Sequence, residues 1–201
     1  MKVSRGVSMG IRHGLFFLLA TIPVTVVFFQ HISTMPMFLV KDLKFPESSY
    51  GILFAINTLL IILFEVPITA AITHWNYRKS LSIGSLLFAL GFGGMAFTHS
   101  FFDVILTVAV WTLGEMILFP AMNAYVSDMA PASLRGQYMG AYVACFSGGF
   151  IVAPWVGTQI LDRFGAHTLW ISMLFFGMLS PLMLTVVALP SSLKSRSLVR
   201  K

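Results

Sequence analysis

Charge is what this sequence has least of. Among 201 residues there are 7 acids and 13 lysines or arginines, 10% in all, against about 25% in a soluble domain. Cysteine is nearly absent too. The one thiol, Cys145, excludes an internal disulfide and a cysteine-based metal site, and its apolar surroundings predict a small packing residue. Polar loops are scarce: the connections between apolar runs are a few residues long. Catalytic signatures are also missing. There is no phosphate-cradling glycine loop ending in Lys-Ser or Lys-Thr, no His-Glu-x-x-His helix, no serine elbow and no His/Cys/Asp metal cluster. An enzyme is therefore not expected, nor is any cofactor or metal.

What is present is apolar. With 57% hydrophobic residues and a mean hydropathy of +0.87, a soluble protein of this size could not bury its side chains, because its surface is too large for its volume. The expected solvent is lipid. The net charge of +6 does not point to nucleic acid. The cations sit in gaps between apolar runs, where membrane proteins carry them. Lys2 and Arg5 precede an apolar run as in a signal peptide, but that run is too long for a signal core of about 7–15 residues.

A spanning helix needs about 20 apolar residues. The chain supplies six such stretches, roughly Leu15–Val40, Tyr50–Thr73, Ser80–Phe97, Phe101–Val126, Gly136–Leu161 and Leu169–Leu189. Their continuous character predicts helices rather than the alternating strands of a barrel. The short gaps (41–49, 74–79, 98–100, 127–135 and 162–168) predict antiparallel neighbours in one bundle covering residues 1–201. Residues 1–11 are expected to form a cytoplasmic N-terminal segment, and 190–201 a flexible basic cytoplasmic tail.

The cations orient the bundle. With the N-terminus inside, the cytoplasmic set is Lys2, Arg5, Arg12, Arg78, Lys79, Arg135, Lys194, Arg196, Arg200 and Lys201. Only Lys41, Lys44 and Arg163 lie outside. The bias is that of a multi-pass protein of the cell membrane with both termini cytoplasmic.

Acids inside the membrane are the first candidates for function. Glu115 lies mid-way along the fourth stretch. A charge at that depth costs about 3 kcal/mol or more, so the side chain should face a cavity or a partner, and its carboxyl is a candidate proton carrier. A hydrogen-bonded structural role is the alternative. Glu65 shares a helical face with Thr58 and Thr69. That stripe could line a pathway, or it could glue helices together with Glu65 reaching Arg78 or Lys79. In the first stretch Pro23, Gln30 and Thr34 share a face beside His31, a residue type that titrates near neutrality. Gln30, His31 and Asn123 are candidate pathway residues. Asn57, Asn123 and Gln159 could equally make interhelical hydrogen bonds. In the fifth stretch Gly136, Gly140, Ala144 and Gly148 recur every four residues, a spacing that admits a close helix neighbour. Gly149, Ala153, Pro154 and Gly157 then predict a kink or a close crossing.

Three stretches together resemble the major facilitator superfamily, in particular the C-terminal six-helix half of its bacterial drug:proton antiporters. The first runs from Leu113-Gly-Glu-Met116 through Pro120 to Ala130-Pro-Ala-Ser-Leu-Arg-Gly-Gln-Tyr-Met-Gly140, similar to the family's tenth helix, cytoplasmic loop and eleventh helix. Arg135 and Gly136 would belong to that loop. The second is the basic turn from His74 to Lys79. It keeps only the closing pair, Arg78 and Lys79, of the family signature G-x-L-x-D-R-x-G-R-R/K, and so lacks the acid of that signature. The third is Gly149-Phe-Ile-Val-Ala-Pro-Trp-Val-Gly157, similar to the antiporter signature g-x-x-x-G-P-x-x-G with Ala153 in place of one glycine. The resemblance implies an all-α fold of six membrane helices, built as two inverted three-helix repeats. It also implies proton-coupled efflux of drug-like or amphipathic compounds, performed with a second six-helix bundle from another chain or by self-association. A truncated or accessory bundle without transport of its own is the competing expectation.

Overall fold

The computed structural model describes residues 2–187, with side chains from Gly14 to Leu184. The expected tail at 190–201 lies outside the described residues. Every regular element is helical: α1 (Lys2–Phe28), α2 (Gln30–Met37), α3 (Ser48–Ala71), α4 (Tyr77–Gly94), α5 (Phe101–Met129) and α6 (Arg135–Val187). Helix is the form that satisfies every backbone group internally in lipid.

The expected elements are present with altered boundaries. The first stretch is not one uninterrupted helix over 15–40. The helix already begins at Lys2, so residues 2–11 are helical and continuous with the rest of α1. It pauses at Phe29, where ψ opens to −1°, and after Pro36 it widens into a π turn over Phe38–Asp42. Pro36 has no N–H to give the ladder. The start of α4 is set by Asn76, whose side chain accepts from the Lys79 N–H at 2.8 Å. The turn before α5 is tight because Ser100 and Asp103 cap each other. Ser100 Oγ accepts from the Asp103 N–H at 3.2 Å, and Asp103 Oδ2 accepts from the Ser100 N–H at 2.8 Å.

The largest departure is at the end. The expected loop over 162–168 is a single residue, Gly165, with φ 82° and ψ 170°. That region of backbone space is essentially open only to glycine, so one residue reverses what otherwise takes a loop. Among the described residues five helices are long and apolar enough to cross a membrane, and the last, Ala132–Leu184, holds most of the 53-residue α6. Uninterrupted, α6 would be about 80 Å long, more than twice the hydrocarbon thickness of about 30 Å.

The core lies where α4 packs against α5 and the second limb of α6, and where α1 packs against the first limb. At Gly114 a Cβ would sit 2.6 Å from the Phe88 nitrogen, so α4 and α5 touch backbone to backbone. The limb of α6 before Gly165 crosses α1 at Thr25, and the limb after it meets α4 at Ala89. Phe28, Phe88, Phe92, Trp111 and Phe119 fill the middle. By contrast α3 rests on α5 along a stripe of Ser49, Leu53 and Asn57, and the rest of it is open. Large apolar side chains on the outside, such as Val66 at 75% and Ile151 at 76% exposed, suit lipid or another helix and not water.

Candidate functional site

The stripe that attaches α3 to α5 ends in a polar cluster. Thr112 and Glu115 are three residues apart on α5 and share a face. Asn57 of α3 reaches both: its Nδ2 donates to Thr112 Oγ1 at 2.9 Å and to Glu115 Oε2 at 3.2 Å. The Thr112 hydroxyl spends its own proton on the Val108 carbonyl at 2.6 Å, so it meets Asn57 as an acceptor. Asn57 and Thr112 are buried and Glu115 is half-buried. Among the described residues no basic side chain lies within ion-pair distance of Glu115. The same holds for Glu65, half-buried on α3. The partners suggested for Glu65 are engaged elsewhere or exposed: Lys79 Nζ lies 4.1 Å over the Trp75 ring, and Arg78 is exposed. Thr58 and Thr69 are exposed, and the Thr58 hydroxyl bonds back to the Phe54 carbonyl of its own helix.

His31 approaches the cluster from α2. Its Nδ1 is 2.6 Å from the Phe28 carbonyl, and its ring sits among Phe28, Phe54 and Trp111. His31, Phe54 and Trp111, with Met35, Tyr50, Leu53 and Asn57, line a cavity of about 10 Å³, room for at most one water. Gln30, its neighbour in sequence, points elsewhere. It is fully buried, donates to the Val26 and Ala153 carbonyls at 3.0 and 2.9 Å, and accepts from Thr34 at 2.8 Å. Every bond Gln30 needs is made inside the bundle, so it is a staple between α2 and α6. Asn123 is exposed on α5, away from the cluster, and Gln159 is half-buried on α6.

The glycines of α6 divide sharply. At Gly149 and Gly157 a Cβ would collide with Thr25 and Gln30, so these two make the expected close crossing. The backbone stays helical through Pro154, and the non-helical residue is Gly165. At Gly136, Gly140 and Gly148 no atom lies within 4 Å of an added Cβ. The stripe read as a close contact faces outward from this chain. A larger apolar cavity of about 280 Å³ opens beside it, lined by Phe17, Leu18, Val126, Met129 and Tyr138 among others.

Tyr77 OH donates to Asp128 Oδ2 at 2.5 Å, joining the start of α4 to the end of α5. Arg135 Nε donates to the Ser127 carbonyl at 3.2 Å and steadies the same corner. Thr112 and Asp128 were not singled out from the sequence. For Thr112 the signal was its position three residues before a membrane acid.

Residues 17–200 match the family model of the Major Facilitator Superfamily. The chain belongs to that superfamily. As a member it is a multi-pass membrane protein of transmembrane transport, a family whose members are generally not enzymes. An uncharacterized MFS-type transporter of Bacillus subtilis, YqjV, is 26% identical over 155 residues, which cover 75% of this chain and 38% of that protein. A protein of Planococcus maritimus named Na(+), Li(+), K(+)/H(+) antiporter is 32% identical over 108 residues, 54% of this chain and 26% of that one. The fold matches a crystal structure of a POT family transporter in complex with 5-aminolevulinic acid. The TM-score is 0.75 and the identity 17%, covering 89% of this chain and 41% of that one. The chain thus spans less than half the length of each.

Proposed function

We propose that this chain is the C-terminal six-helix half of a proton-coupled exporter of drug-like, amphipathic compounds in the cell membrane, with Glu115 as its proton carrier. In this reading α6 crosses the bilayer twice, turning at Gly165, and both termini are cytoplasmic. The six spans form two inverted three-helix repeats. The observation that carries the reading is the state of Glu115: a membrane-embedded carboxyl, without a basic partner among the described residues, held by Asn57 of a neighbouring helix. A carboxylate at that depth needs a proton or another cation to be neutral. Glu65 is the second acid of the pathway, and His31 is the further lining residue.

The open faces support a second bundle. Major facilitator sites lie between two bundles near the midplane, and one bundle offers one wall. The outward glycine stripe of α6 and the sparsely buried α3 are the surfaces on which another bundle would close. The matching length, under half of each relative, agrees with a half.

The test is proton-driven movement of a fluorescent lipophilic cation in vesicles prepared from native membranes, under an imposed pH gradient. Glu115→Gln is expected to abolish gradient-driven movement and leave substrate-for-substrate exchange. Unchanged gradient-driven transport in that variant sinks the assignment of Glu115.

A further inference from the structure

The cavity of about 280 Å³ lies apart from Glu115 and its partners. Its walls come from three helix ends: the first turns of the span that starts at Gly14, the last turns of α5, and the first turns of α6. These ends meet at one level, so the cavity sits at the edge of the membrane and not at its middle. At Gly14 an added Cβ would lie 3.3 Å from Tyr138 Cε1 and 3.6 Å from Met129 Cε. The missing side chain there lets the three helices converge.

The floor of this cleft is apolar and its mouth is polar. Phe17 and Val126 are buried, and Leu18 and Met129 are half-buried. On the rim Leu15 is 59% exposed and Gln137 is exposed, so the cleft is continuous with the outer surface of the chain. Arg135 stands at the mouth. Its Nε donates to the Ser127 carbonyl, and Ser127 falls between Val126 and Met129 of the lining. The two terminal nitrogens of that guanidinium bond no described residue. The acid beside it in sequence, Asp128, accepts from the Tyr77 hydroxyl and is held toward α4.

Volume and depth decide what fits. Pockets that enclose a whole drug-sized ligand measure about 300–1,000 Å³. A cleft of about 280 Å³ with an open rim takes one chain of an amphiphile and leaves its head at the surface. At the membrane edge that amphiphile is a lipid, and the cytoplasmic leaflet is the one rich in anionic headgroups.

We infer that the cleft between α1, α5 and α6 binds an anionic phospholipid of the cytoplasmic leaflet, with one acyl chain against Phe17, Leu18, Val126 and Met129 and the phosphate at Arg135. Guanidinium and phosphate make charge-assisted bonds, often two in parallel. The acyl chain covers apolar surface and strands no polar group. The bound lipid ties α1 to the α5–α6 corner. The choice of leaflet rests on the cytoplasmic placement of the termini proposed above, and the cleft itself does not.

The full chain is placed in phosphatidylcholine nanodiscs with a small fraction of phosphatidylglycerol carrying a diazirine on its acyl chain. After irradiation the labelled peptides are mapped. Label is expected to concentrate on the segments that hold Leu18, Met129 and Tyr138. Added phosphatidylglycerol is expected to compete at least about tenfold better than added phosphatidylcholine. Ala141→Trp fills the cleft from an exposed lining position and should remove the label. Arg135→Gln should lower the preference for phosphatidylglycerol about fivefold, the scale of one basic residue at a charged membrane surface, and Arg135→Lys should restore most of it.

Label spread evenly over outward residues such as Val66 and Ile151 overturns the site, as does an unchanged pattern in Ala141→Trp. Equal competition by phosphatidylcholine overturns the anionic lipid. Displacement by a lipophilic cation but not by excess phosphatidylglycerol overturns the lipid in favour of transported cargo. The leaflet is read separately with Ser133→Cys, in the exposed turn before α6, and the parent chain as blank. That thiol is expected to resist a membrane-impermeant maleimide in intact cells and to react after permeabilisation. Reaction in intact cells overturns the cytoplasmic leaflet and the proposed topology together, whatever the crosslink shows.

Discussion

Gln30 and Glu115 are both polar side chains in apolar helices, and their surroundings give them opposite tasks. Gln30 has two carbonyls to donate to and a threonine to accept from, all within the bundle. Removing it loses these buried side-chain hydrogen bonds, each worth about 0.5–1.5 kcal/mol net. Gln30→Ala is therefore expected to lower stability by about 2 kcal/mol, as read from unfolding of the purified chain in detergent. No loss of stability would mean that water reaches the α2–α6 contact. Glu115 by contrast has one neutral donor and no countercharge among the described residues. Its neutral form is the cheaper one to hold in lipid, so Glu115→Gln should leave folding intact while removing function. A destabilised Glu115→Gln chain would instead favour the structural role that the sequence also allowed.

At the scale of elements the deciding feature is the break in α6. With φ 82° and ψ 170°, Gly165 sits where a side chain costs about 1–3 kcal/mol. No neighbouring atom crowds an added Cβ there, so the cost of Gly165→Ala is purely conformational. That variant is expected to lose about 1–3 kcal/mol of stability, seen as a lower unfolding midpoint in the same assay. An unchanged midpoint would show that the turn tolerates other backbone angles. Helix α3 is the other informative element. It is held by Ser49, Leu53 and Asn57 and little else, so Asn57→Leu should raise amide hydrogen exchange along α3 before any other helix. Exchange rising first in α4 would place the weak attachment elsewhere.

For the whole molecule, the open surfaces matter most. Among the described residues nothing lies within 4 Å of a Cβ added to the glycine stripe at Gly136, Gly140 and Gly148, although its spacing suits a close helix partner. If a second bundle covers it, native mass spectrometry of gently extracted protein will find a homodimer or a complex with another helical polypeptide. Replacing Gly140 with Leu, whose Cβ meets no described residue within 4 Å, would then disperse that complex without unfolding the bundle. A stable lone monomer would remove the two-bundle reading and leave a fold without its second wall.

The membrane solvent, the helical fold and most helix boundaries were legible in the sequence. Apolar runs of about 20 residues separated by short polar turns admit few other arrangements in lipid. Glu115 was legible for the same reason: a carboxyl in the middle of an apolar helix stands out on cost alone. What surrounds it was not legible. Sequence periodicity tells which residues share a face of one helix, but not which face meets which neighbour. That is why the bonds of Gln30 to α6 and the place of Thr112 beside Glu115 were not legible. It is also why the outward glycines of the fifth stretch read as a close contact while Gly149 and Gly157 of that stretch make one. The sequence by itself determined the solvent, the elements and the costly acid. Only the tertiary structure decided the acid's partners, because those depend on how α3 and α5 are rotated against each other. Rotation about a helix axis is set by packing along the whole interface and leaves no local mark in the chain.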